Sequence, residues 1–67
     1  MNSIILLRLM KTLKDTTNAH NLMTDKIQNK GENLAYVYMD CNNYSLEIRM
    51  LAVNLLAKHW RNMFSYY

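Results

Sequence analysis

Gly31 is the only glycine among the 67 residues, and there is no proline. Glycine and proline are the strongest backbone punctuation a chain can carry. Only one boundary is therefore clear, and every other has to be read from capping and turn residues.

Before Gly31 the pattern is helical. Leu6, Leu9, Met10 and Leu13 recur at i, i+3, i+4 and i+7, with Ser3 placed as N-cap and Arg8, Lys11, Lys14 and Asp15 on the other side. Asp15-Thr16-Thr17-Asn18 prefers caps and turns to helix interiors, so the reading ends a first helix near Lys14. Ala19, Leu22, Met23 and Ile27 mark a second, capped by Thr17 or Asn18, with Lys26 and Lys30 in its last turn and Gly31 just past its end. One long helix remains open, because nothing between the two breaks a helix and Leu6, Leu13, His20 and Ile27 keep a seven-residue spacing.

After Gly31 the period changes. Leu34 to Met39 is aromatic and apolar, Asp40-Cys41-Asn42-Asn43 is turn-like, and Tyr44 to Met50 alternates apolar and polar as a strand does. Pairing Met39 with Tyr44 sets Val37 opposite Leu46 and Ala35 opposite Ile48 on one apolar face. Tyr36, Tyr38, Ser45 and Glu47 then share the other. The competing reading is a helix from Ser45 to Phe64 capped by Asn43 or Ser45, since Leu, Glu, Arg, Met and Ala are good helix formers. Its apolar positions, Leu46, Met50, Val53, Leu56, Trp60 and Met63, keep helical spacing too. Both readings share a last helix from about Leu51 to Ser65, with Val53, Leu56, Ala57, Trp60, Met63 and Phe64 inward and Asn54, Lys58, Arg61 and Ser65 outward.

The expected fold is thus α+β, one small domain over residues 1–67: two N-terminal helices or one long helix, a β-hairpin and a C-terminal helix. The alternative is an all-α helical bundle. No repeat, low-complexity tract or linker interrupts it.

Size limits what such a fold can do. At 8.0 kDa the chain is expected to bury only about 60% of the surface it exposes when unfolded, which leaves no room for a large enclosed cleft. A lone hairpin is marginal, so association into a homodimer is expected to complete the core. An apolar share of 51% with 19% charged residues argues against disorder. Cys41 is the single cysteine and can form no internal disulfide, which reads as a reducing, cytoplasmic setting. The apolar run Ile4–Leu7 stops at Arg8, too short to span a bilayer, and no basic region or cleavage site marks a secretory signal. Residues of AT-rich codons crowd the chain, as in short accessory genes of viruses, phages and other mobile elements.

Catalytic motifs are missing. A single glycine excludes the phosphate-cradling Walker and Rossmann loops. His20, His59 and Cys41 lack zinc-site spacing, and a Cys41–His59 nucleophile pair would sit in a turn with no oxyanion hole indicated. Asp15, Asp25, Glu32, Asp40 and Glu47 are scattered rather than paired for acid and base roles. No enzymatic activity, catalytic residue, metal or cofactor is expected.

Binding is the remaining class. Tyr36 and Tyr38 beside Glu47 and Arg49 make an amphipathic aromatic patch of the kind found at protein interfaces, and Tyr66 and Tyr67 add aromatics next to Trp60 and Phe64. The ordinary reading is that these tyrosines, and most of the six methionines, fill a core. Arg8, Lys11 and Lys14 form a basic stripe that Lys26, Lys30, Lys58 and Arg61 could extend. A net charge of +3 is modest, however, and a solvated helix face explains the same residues. The first helix also permits a membrane-surface reading, ranked lower because it is short and has no arginine-rich run.

The expectation is therefore a non-enzymatic protein-binding module, a homodimeric accessory protein that docks on a partner and inhibits or regulates it through Tyr36, Tyr38 and Arg49. The alternatives are a small nucleic-acid-binding regulator using Arg8, Lys11 and Lys14, and a constitutive subunit of a larger assembly.

Overall fold

A computed structural model describes residues 2–64, and of 63 and 64 the backbone alone. It contains three helices: α1 over Ser3–Gln28, α2 over Leu34–Asp40 and α3 over Leu46–Phe64. The expected residues Ser65, Tyr66 and Tyr67, and the side chains of Met63 and Phe64, lie outside what is described.

Before Gly31 there is one helix. Its N-cap is Asn2 rather than Ser3, with the Asn2 Oδ1 accepting from the Ile4 N–H at 2.9 Å. The cap-prone stretch at 15–18 does not break it, because its side chains bond back along the helix rather than capping a new one. Thr17 Oγ1 donates to the Leu13 carbonyl at 2.9 Å, and Lys11 pairs with Asp15 at 3.6 Å across one turn. Gly31 ends it at φ 66°, donating to the Ile27 carbonyl while Glu32 N–H reaches back to Lys26.

The hairpin and the α+β class are overturned: there is no strand among the described residues, and the architecture is all-α. The expected turn at 40–43 is present, but it joins two helices. Asn33 caps α2 through a 2.8 Å bond from Ala35 N–H, and Ser45 Oγ caps α3 from Ile48 N–H at 3.2 Å. Two isolated strands would leave their outer edges unpaired, whereas a 19-residue helix satisfies its own backbone. Helix propensity and capping prevail over a seven-residue alternation that a helix face also tolerates.

α3 runs antiparallel to α1. Lys26 and Arg49 both act electrostatically on Cys41, while farther along the pair His59 meets His20. The core between the helices consists of Ala19, Met23, Val37, Cys41, Ala52 and Leu56, with Ile27, Tyr38, Tyr44, Ile48, Val53 and Trp60 packed around it. Of the expected inward positions of the second and last helices, Leu22 and Ala57 are exposed.

This core is small for the chain. The accessible surface is 5424 Å², against about 4,450 Å² for an ordinary folded monomer of 8.0 kDa. The radius of gyration is 13.5 Å where about 11 Å would be usual, and the extents are 43 × 29 × 16 Å.

Candidate interaction surfaces

The first three turns of α1 form an arm. A helix of 26 residues is about 39 Å long, and its buried positions begin only at Ala19. Every large apolar side chain from Ile4 to Leu13 is 47–69% exposed, including the whole expected stripe of Leu6, Leu9, Met10 and Leu13. At 100° per residue, Ile5, Leu6, Leu9, Met10 and Leu13 share an arc of about 140°. Lys14, Lys11 and Arg8 mark the opposite side, where Ile4 and Leu7 intervene. The apolar arc is turned roughly 90° from the direction of Ala19 and Met23, so it does not prolong the seam with α3.

A second apolar surface lies at the other end of the molecule. Leu34, Ala35, Tyr38 and Met39 of α2 and Met50 and Val53 of α3 line an open groove of about 420 Å³. Met39 and Met50 are 68% and 50% exposed, and Leu46 beside them is as open. In sequence Glu32 stands just before α2, Asp40 in its last turn and Glu47 in the first turn of α3, while Arg49 lies over the ring of Tyr38, one of the lining residues.

The three residues expected to bind a partner are divided between two environments. Arg49 stands over the Tyr38 ring, 5.2 Å from its centroid, and donates through Nη1 to the Tyr38 carbonyl at 3.1 Å. Both are half-buried. Tyr36 is 71% exposed and points away from Tyr38, because residues two apart on a helix project about 160° from each other. The expected basic residues Arg8, Lys11 and Lys14 are all exposed on the arm, and Lys11 is engaged by Asp15.

No family model matches the chain, and no curated protein and no solved structure is significantly similar to it. The reading of these surfaces rests on their chemistry.

Cys41 is buried at the C-terminus of α2. Burial pushes its thiol up from the ordinary value, partly offset by Lys26 and Arg49 and assisted by Asp40. Those neighbours do not include His59, whose ring instead stands edge to face with His20 at 6.3 Å. Among the described residues no cluster of His, Cys, Asp and Glu could hold a metal ion, and no helix is long and apolar enough to cross a membrane.

What sequence reasoning missed is the groove. Leu34, Met39 and Met50 come together only when both segments are helical; in the hairpin register Met39 closed the turn and Met50 lay beyond the pairing. The arm was more accessible, because its stripe was read correctly and only its burial was assumed.

Proposed function

We propose that this chain is a small non-enzymatic protein-binding module, one that self-associates and docks on a partner protein to modulate it. The observation that carries the reading is the arm: large apolar side chains at 47–69% exposure over Ile4–Leu13, on a chain whose own core cannot cover them. Apolar patches of this extent on a soluble surface mark interaction sites. Tyr36 adds an exposed aromatic anchor on α2, and the Tyr38–Arg49 contact ties that helix to α3. A reducing, cytoplasmic setting accords with the free buried Cys41. The crowding of amino acids whose codons are AT-rich favours an accessory gene of a virus or other mobile element.

The test uses the purified chain as bait in host lysate, with a Leu9→Glu/Leu13→Glu arm variant and Tyr36→Ala beside the wild type. Specific capture lost in the arm variant and reduced by Tyr36→Ala, with circular dichroism unchanged, supports the reading. Equal capture by all three counts against it.

One observation favours a second reading. Arg8, Lys11 and Lys14 are exposed along one side of the same arm, where they could neutralise phosphates of a nucleic acid. Affinity for mixed DNA or RNA falling steeply with salt, and lost on replacing these three with glutamine, would establish it. Binding that ignores salt would exclude it.

A further inference from the structure

We infer that the arm of one copy occupies the α2–α3 groove of a second copy, and that the exchange is reciprocal, closing a twofold dimer. The inference rests on the protein-binding reading in taking the arm for a docking element. What it adds is the occupant.

Three observations converge. First, the surfaces are complementary in shape and polarity: the arm offers a convex row of Ile5, Leu6, Leu9, Met10 and Leu13, and the groove offers an open apolar trough of about 420 Å³. A helix laying its apolar face into such a trough is a recurring recognition mode. Second, the charges do not oppose the docking: with the apolar arc seated, Arg8, Lys11 and Lys14 stay on the solvent side of the arm.

Third, the areas agree with a double junction. At roughly 100 Å² of exposed surface per large side chain, one arm in one groove covers on the order of 1,000 Å² in total, below the standard size for a stable interface. Two such junctions reach about 2,000 Å², at the upper end of the standard range. The surplus surface of each chain over an ordinary monomer, about 1,000 Å² against the observed 5424 Å², is what this dimer would remove. Arm and groove lie at opposite ends of the molecule, because α3 runs antiparallel to α1 and the groove includes its first turns. A twofold axis perpendicular to the long direction can then set each arm against the other's groove, as an isologous interface requires.

The experiment is sedimentation equilibrium of the full chain and of two variants at exposed positions: an arm variant, Leu9→Glu/Leu13→Glu, and a groove variant, Met39→Glu/Met50→Glu. Circular dichroism confirms that each stays helical. The wild type should be a dimer, and each variant alone should associate at least about 100-fold more weakly. Mixed together, the two variants should form a heterodimer, since the arm variant keeps an intact groove and the groove variant an intact arm. That complementation separates arm-in-groove exchange from a contact between two arms.

A groove variant that dimerises like the wild type, with only the arm variant monomeric, overturns the inference while leaving the arm a protein-binding element. A monomeric wild type that sediments with phosphatidylserine-containing phosphatidylcholine vesicles through the arm overturns both.

Discussion

Arg49 ties two helices together through Tyr38. Its guanidinium stands over the Tyr38 ring, with 5.2 Å to the centroid, and its Nη1 donates at 3.1 Å to the carbonyl of the same residue. That carbonyl belongs to the last turn of α2, where backbone acceptors have no partner within their own helix. One side chain from α3 thus caps a seven-residue helix that has too few turns to hold itself.

Replacing Arg49 by alanine should therefore cost about 2 kcal/mol, the sum of a charge-assisted hydrogen bond and a cation–π contact. Arg49→Lys should recover only part, since an ammonium cannot stack and donate in the same fork geometry. Urea denaturation followed by circular dichroism measures both. A loss confined to the alanine variant, with lysine equal to wild type, would show that charge alone is required.

Gly31 should resist substitution for a reason of backbone rather than space. A Cβ there would meet nothing within 4 Å, but φ is 66°, where other L-residues are strained. Gly31→Ala is expected to lower stability by about 1 kcal/mol and Gly31→Asn by less, because asparagine visits this region more readily. The same denaturation experiment gives the comparison. Equal stability of all three would mean that the chain reverses at Gly31 without needing a left-handed residue.

Cys41 links burial to pH. Its thiol is raised above its ordinary value, chiefly by desolvation, so the folded state favours the neutral form more strongly than the unfolded state does. The stabilisation is fully present below the unfolded pKa and is lost as pH rises through the folded one. Urea midpoints of the wild type should consequently fall above pH 9 more steeply than those of Cys41→Ala, in which the group is removed. Alkylation of Cys41 by iodoacetamide should likewise be slow in the folded chain and fast in denaturant. Rapid alkylation without denaturant would show the thiol to be accessible.

The helical periodicity of residues 4–27 was legible, as was the end of that segment at Gly31, since spacing and glycine chemistry are local. The continuity of α1 through Asp15-Thr16-Thr17-Asn18 was not. Threonine hydroxyls bond either outward as caps or back to the preceding turn, and Thr17 and Thr24 take the second course, bonding Leu13 and His20 at 2.9 and 2.8 Å. The alternation of Tyr44 to Met50 was misleading for a similar reason. Seven residues can satisfy a strand period while belonging to a longer helix, and only the run on to Phe64 with Ser45 capping its start decides between them.

By itself the sequence determined what is written in nearest neighbours and in composition: the helical segment before Gly31, the turn at 40–43, the amphipathic arm, and the excess of apolar residues over what 8.0 kDa can bury. Tertiary structure alone decided which apolar faces found a partner. Ala19 and Met23 were covered by α2 and α3, whereas Leu6, Leu9, Met10 and Leu13, with an equally good stripe, were not. The groove was decided at the same level. Burial depends on how far a facing helix reaches and at what angle two helices meet, and hydrophobic spacing along one helix specifies the face to be covered without specifying what covers it.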